Sequence, residues 1–183
     1  MTVGGVGVDV VFFDASVLYK AGVTRFLFGA ERVGEFRAAW SPAVVDEARR
    51  NLTADGRLGA LAALDQNLAW PRDPVVAVGD IEVERGLLLT DVKDRHVLAA
   101  ATAAGASILV TANPKDFDVA EAASVGVAIV TPDEFAADLA GRNAAALVRY
   151  VERVSSERLE RYLDRLSGEL PRTMGMLAPQ FDE

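Results

Sequence analysis

The chain has no cysteine and one histidine, His96, in 183 residues. Without cysteine there is no disulfide framework and no thiolate nucleophile. The same shortage excludes ordinary zinc sites and most Ser-His or Cys-His triads. No apolar run approaches the roughly 20 residues needed to span a bilayer, so no membrane partner is expected. The start, MTVGGVGVDVVFF, lacks the basic segment and small-residue cleavage site of a secretory signal. A cytoplasmic location is the expectation. There is no G-x-x-x-x-G-K-[ST] loop, and GGVGVDV precedes a strand instead of following one, so neither common phosphate cradle is present.

Carboxylates are what remains for chemistry. Asp and Glu number 27 against 19 Lys and Arg, and the imbalance is local. Residues 1–72 and 139–183 are each charge-balanced, whereas residues 73–138 hold twelve acids and four bases, the entire net charge of −8. That argues against loose nucleic-acid binding, which needs clustered cations. A divalent cation bound in this segment would offset part of the excess. Asp80, Glu82, Glu84, Glu121 and Asp138 read as solvated surface acids.

The periodicity predicts an α/β fold. Residues 8–13 are an apolar run of the kind buried on both faces of a parallel sheet, with Asp9 at its exposed end. A helix over about 16–29 presents Val17, Val23, Phe26 and Leu27 inward, and residues 36–40 form a strand. Ser41 and Pro42 then supply an N-cap and first-turn proline. A helix over 55–68, a turn at 71–74, a strand over 75–78 and a helix near 80–88 follow. An alanine-rich helix over 94–104 stops at Gly105. Strands are expected at 107–111 and 125–130, and Thr131-Pro132-Asp133-Glu134 is a capping box opening a helix over 132–140. After Gly141, the stripes Leu147, Tyr150, Val151, Val154 and Leu159, Tyr162, Leu163, Leu166 predict a helical hairpin. Ser155-Ser156 would cap its second helix, and Gly168 and Pro171 would close it. The expected organisation is a domain over 1–141, with a central parallel sheet and helices on both faces, and a helical extension over 142–183. The stripes of the extension should pack on the domain or on a partner.

Four acids fall where these elements meet. Asp14 ends the first strand, the edge at which sites of open parallel sheets lie. There it can bind Mg²⁺ or Mn²⁺ or cap the next helix, two uses that compete for the same oxygens. Ser16 has a hydroxyl placed to hold Asp14. Glu47 is at the margin of an apolar helix face made by Val44, Val45, Ala48 and Leu52, beside an expected Asp46–Arg50 pair. Asp94 opens the alanine-rich helix in line with Val97, Leu98 and Ala101, and Asp91, three residues earlier, is a further ligand or an N-cap. Thr111, Asn113 and Asp116 lie in the turn after a strand, with Asp118 an exposed neighbour. Carboxylates gathered at one sheet edge repel one another unless a cation lies between them.

The segments D-x-S at Asp14, S-P-x-x-x-x-E from Ser41 to Glu47, D-R-H-V-L-A-A-A from Asp94 and V-T-x-N-x-x-D-F from Val110 occur in this order. Together, over about 8–138, they resemble the PIN domain of VapC-type bacterial toxins. The resemblance implies a three-layer α/β/α fold and hydrolysis of RNA phosphodiesters to a 5′-phosphate and a 3′-hydroxyl. It implies Asp14, Glu47, Asp94 and Asp116 as catalytic acids. Asp14, Asp94 and Asp116 would hold one or two Mg²⁺ or Mn²⁺ ions, with Ser16, Asp91, Thr111 and Asn113 in support. It also implies an antitoxin partner and a homo-oligomer. Lys93 departs from the usual D-x-D-D-R-H, standing where the family has an acid; this leaves the part of Asp91 open and implies one fewer ligand. Lys20, Arg25, Arg49, Arg50 and Arg57 are candidates to guide RNA, and His96 to contact a phosphate or pack. Two rivals stand beside this reading. An Asp14-dependent phosphatase is disfavoured because Ser16 replaces the second Asp usual there, and a non-catalytic PIN-like binding module would have a degenerate acid set.

Overall fold

Val-Val-Phe-Phe has no polar position to turn towards water, and Val10–Phe13 (β1) is the central strand. The structure is a computed structural model and describes residues 9–32, 36–69, 74–155 and 159–181. β1 pairs in parallel with Arg37–Trp40 (β2) on one side and Ile108–Val110 (β4) on the other. Val75–Val76 (β3) and Ala128–Val130 (β5) complete a five-stranded parallel sheet in the order β3-β2-β1-β4-β5. The helices flank it, as expected for an α/β/α fold. Phe12 and Phe13 are wholly buried, and the Phe13 ring meets Phe28, Phe36 and Phe135 edge-on, at centroid distances of 5.7, 5.9 and 6.4 Å. That aromatic packing fixes the strand end from which Asp14 emerges.

The helix expected over 16–29 is two helices, Ala15–Leu18 (α1) and Ala21–Glu31 (α2), broken at Lys20 with φ −93° and ψ 84°. The Thr24 hydroxyl donates to the carbonyl oxygens of Val17 and Leu18, satisfying the freed end of α1. Its four inward residues are nevertheless buried as predicted. Pro42–Ala54 (α3) starts on Ser41, whose Oγ accepts from Val44 N–H. Gly56, at φ 66°, turns the chain into Leu58–Leu68 (α4), so the helix foreseen from residue 55 begins three residues later. Ile81–Gly86 (α5) and Arg95–Ala103 (α6) match their expected positions, and Gly105 ends α6 with φ 67°. Val119–Ser124 (α7) was not foreseen: its six residues carry too little apolar periodicity to read as a helix. The turn expected at 71–74 lies outside the described residues except for Pro74, as do Val8 and the cap residue Ser156.

Beyond Gly141 the chain differs most from expectation. The capping box forms, with Thr131 N–H donating to Glu134 Oε2 and Glu134 N–H to Thr131 Oγ1. The helix it opens does not stop near Gly141 but runs on as Pro132–Ser155 (α8), kinked at Asn143. Leu159–Glu169 (α9) contains Gly168, and Pro171 starts a further helix, Pro171–Leu177 (α10), instead of ending the fold. A proline at the first helical position is as compatible with starting a helix as with stopping one. Asp133 takes the place of a cap for α10 by accepting from the N–H groups of Arg172 and Thr173, both at 2.9 Å.

The amphipathic stripes close on this same chain. Leu147, Val151 and Leu166 are buried in the common core, as are Leu170, Met174 and Leu177, while Val154 lies outside the described side chains. The Tyr150 hydroxyl donates to the Arg25 carbonyl and the Tyr162 hydroxyl to that of Gly22, pinning α8 and α9 on α2. Gly29 is required there, since a Cβ would stand 1.9 Å from the Tyr150 ring. Burial raises the pKa of both tyrosines, so both remain neutral donors. Among the described residues no helix is long and apolar enough to cross a membrane.

Candidate active site

Strand order explains why the acids meet. The chain winds from β1 to β2 and β3 in one direction and then crosses back to β4 and β5, so it reverses between β1 and β4. The carboxyl ends of those two neighbours frame the crevice where open α/β sheets place their sites. Asp14 follows β1 and Thr111 follows β4, in register with each other beyond the Phe13–Val110 pair. Helices return antiparallel to the strands, so the N-terminus of α6, carrying Asp94, comes back to the same edge.

Asp14 is 6% exposed and fully engaged. Its Oδ1 accepts from Ala15 N–H at 2.6 Å as the N-cap of α1. Its Oδ2 accepts from the hydroxyls of Ser16 at 2.6 Å and Thr111 at 2.8 Å. Three bonds thus fall on a carboxylate that can accept about four, and the lone pair left over is on Oδ1, the oxygen that also caps α1. Ser16 Oγ itself accepts from Ala112 N–H at 3.0 Å, tying the two strand ends together. Thr111 Oγ1 accepts from Asn113 N–H at 3.1 Å, and the Asn113 side chain is exposed.

Asp94 differs. It occupies the cap position of α6 but its side chain makes no capping bond. Its pKa is pushed up to about 6, by partial burial first, then by the negative charges of Asp14, Asp116, Asp91 and Glu47. The three other candidate acids and Asp91 thus act on one carboxyl. Asp116 stands in a 3-10 turn, Pro114–Asp116, half-buried, and its carbonyl accepts from Asp91 N–H at 3.0 Å. That bond joins the loop of the third acid to the loop of the fourth. Asp91 caps the turn before α6, accepting from Lys93 N–H at 3.0 Å. Glu47 is half-buried on α3.

One residue that sequence reasoning misjudged, and one that it left unassigned, hold this edge. Glu121 is no solvated bystander: it accepts from the N–H groups of Leu89 at 2.9 Å and Thr90 at 2.8 Å. Burial opposes its charge, but the bonds from Leu89 and Thr90 prevail and hold its pKa below the ordinary value. From the other side Arg95 donates to the carbonyls of Thr90 at 3.1 Å and Leu88 at 2.9 Å. The loop leading to Asp91 and Asp94 is clamped between them. Nothing in the spacing of Glu121 signals this, because its partners are backbone groups some thirty positions away.

Other assignments shift as well. Asp118 is half-buried and caps α7 by accepting from Glu121 N–H at 2.8 Å. Asp46 pairs with Arg49 at 3.8 Å, one position short of the expected Arg50. Arg49 also grips Asp65 with Nε and a terminal nitrogen, Arg57 lies 4.4 Å from the Tyr19 ring centroid, and Arg25 lies over Tyr162. Three of the five cations offered for RNA are thus engaged elsewhere. Asp80 caps α5 through Glu82 N–H, Glu82 pairs with Arg85, and Asp138 pairs with Arg142. His96 is half-buried on α6.

A family model for the PIN domain matches residues 10–115, more than half of the chain. The chain belongs to the PIN domain family. No curated protein and no solved structure matches it. The PIN match takes in Asp14, Glu47, Asp91, Asp94 and Thr111 and ends one residue before Asp116. PIN domains are generally Mg²⁺- or Mn²⁺-dependent nucleases acting on RNA or DNA. The donor chemistry here fits such an ion, since carboxylates and hydroxyl oxygens are what hard divalent cations take. Among the described residues, however, no three acid or histidine side chains converge closely enough to hold an ion as they stand.

The raised pKa of Asp94 has a measurable consequence for the metal-free PIN domain. Folding holds the Asp94 proton more tightly than the unfolded chain does, so ionising it costs stability. That cost is absent below about 3.8, grows between 3.8 and about 6, and is complete above. In full it would be about 3 kcal/mol at 1.36 kcal/mol per pH unit, and solvent at the half-exposed carboxyl reduces it to about 1 kcal/mol. In chelator, Asp94→Asn should therefore melt about 2–4 °C higher than wild type at pH 7.5, with the gap closing near pH 4. Equal melting at pH 7.5, or a gap that widens in acid, would contradict the shared field at Asp94.

Proposed function

We propose that this PIN domain protein is a metal-dependent ribonuclease, the VapC-type toxin of a toxin–antitoxin pair working in the cytoplasm. The observation that supports a catalytic reading is the placement of Asp14 and Asp94 at the edge where strand order reverses, with the other acids near enough to raise the Asp94 pKa. Acids from the ends of β1 and β4, from α3 and from the start of α6 share one electrostatic field at the strand-order reversal. On this reading Asp14, Asp94 and Asp116 would hold one or two Mg²⁺ or Mn²⁺ ions, with Glu47 as a fourth catalytic acid. When bound, the ion supplies Lewis acidity towards the phosphodiester and a lowered pKa for the attacking water. The chain's own residues supply the rest. Ser16 and Thr111 keep Asp14 oriented by donating to Oδ2, Asp91 fastens the Asp116 turn, and Asn113 presents an exposed side chain at the mouth.

The toxin assignment, the antitoxin partner and the homo-oligomer rest on the motif resemblance. Exposed Leu88, Leu89, Val92 and Val119 are consistent with a protein contact. Segment 142–183 would serve as a stabilising extension of the 1–141 nuclease unit, outside the chemistry. The experiment is incubation of single-stranded RNA with the purified chain in Mg²⁺, Mn²⁺ and EDTA, with analysis of the new ends. Cleavage in metal alone, leaving 5′-phosphates, is expected. Cleavage that persists in EDTA, or none in either metal, would overturn the reading. The separation of the acids favours one alternative, a non-catalytic PIN-like binding module; RNA binding without cleavage or saturable metal uptake would identify it.

A further inference from the structure

A polyanion must enter a segment that carries the whole net charge of −8, and that segment has four cations: Arg85, Lys93, Arg95 and Lys115. Two are committed to structure. Arg85 pairs with Glu82 at 2.9 Å on α5, and Arg95 spends its guanidinium on the carbonyls of Leu88 and Thr90. Lys93 and Lys115 are exposed, and among the described residues neither side chain forms a salt bridge or hydrogen bond. Their positions are not scattered. Lys93 precedes Asp94 and Lys115 precedes Asp116, on two loops joined by the bond from Asp91 N–H to the Asp116 carbonyl. The first loop is also clamped by Glu121 and Arg95, so the backbone that carries Lys93 is fixed.

We propose that Lys93 and Lys115 form the phosphate-binding rim of the active site, receiving backbone phosphates of the substrate strand beside the bond that is cut. This rests on the ribonuclease reading and adds to it how an acidic crevice admits an anionic strand. The two unpaired cations of the acidic segment stand next to the acids they must help the substrate approach. An acid at position 93 would add to the repulsion that the strand meets, and Lys93 offers it a cation instead. The lysines bind and position; the acids carry the chemistry.

The test is equilibrium binding of a labelled single-stranded RNA in Mg²⁺, followed by anisotropy over about 50–300 mM salt. An Asp14→Asn background keeps the RNA intact, and Lys93→Ala/Lys115→Ala is compared with Arg85→Ala, which removes a charge from the same segment. The lysine pair should weaken binding at least tenfold and lower the slope of log K against log salt by about 1.4, at roughly 0.7 per phosphate contact on a single strand. Arg85→Ala should leave the slope unchanged, and Lys93→Arg/Lys115→Arg should retain binding. An unaltered slope in the double alanine variant, or an equal loss with Arg85→Ala, overturns the rim while the nuclease stands. A wild-type chain that neither binds nor cleaves RNA overturns both.

Discussion

Asp94→Asn should lower metal-dependent RNA cleavage by roughly 100-fold or more, since loss of a charged ligand should exceed the 10- to 100-fold typical of supporting residues, without loss of fold. Asp94 makes no side-chain capping bond, so replacing its carboxyl by an amide breaks no hydrogen bond that holds α6. Its pKa is raised by partial burial first and then by the neighbouring acids, and above pH 6 its charge destabilises the metal-free protein. Activity should fall while the melting temperature holds or rises. Asp14→Asn should be as inactive but about 1 kcal/mol less stable, because two hydroxyls and an N–H were arranged around an acceptor-only group. Asp118→Asn is the control. Asp118 caps α7, Asn caps equally well, and activity should stay near wild type. Kinetics beside thermal melts on the three variants decide the matter. An active Asp94→Asn, or an Asp118→Asn as impaired as the others, would show the acids wrongly sorted.

Truncation after Gly141 should leave no soluble folded protein. It cuts α8 in mid-helix and removes Leu147, Val151, Leu166, Leu170 and Leu177, each at most 1% exposed. Each such side chain contributes about 1.5–3 kcal/mol when buried, so their loss rivals the roughly 5–15 kcal/mol that holds a domain together. The cut also strips the tyrosines that bond the Gly22 and Arg25 carbonyls of α2. Expression of residues 1–141, assayed by sedimentation and thermal melting, should give aggregates. A soluble monomer that melts cooperatively would show residues 142–183 to be an appendage the core does not need.

The sheet was legible because its strands are written as apolar runs. Val10–Phe13, Ile108–Val110 and Ala128–Val130 are uninterrupted by charge, and each is followed by a turn or a cap. The placement of Asp14 and Asp94 was legible because strand ends and helix starts lie at one edge of a parallel sheet, whatever their distance in sequence. Elements without periodicity were not: α7 is six residues, and the break at Lys20 depends on Thr24 reaching back to carbonyls of the preceding helix. Gly141 and Pro171 misled for a different reason. Glycine and proline mark possible boundaries, and tertiary packing decides whether a helix passes through, as α8 does, or begins, as α10 does. Glu121 was read as surface because a carboxylate bound to backbone N–H groups has no partner side chain to betray it.

The central claim is the proposal that Asp14, Asp94 and Asp116 hold a divalent cation beside Glu47. Mn²⁺ titration of the metal-free chain at pH 7.5, with the free ion followed by electron paramagnetic resonance, tests it most directly. The account predicts saturable binding of one or two ions per chain, weakened at least about tenfold by Asp14→Asn and by Asp94→Asn alike, and weakened as the pH falls below about 6, where Asp94 regains its proton. No saturable binding, or binding left unchanged by either substitution, would contradict it.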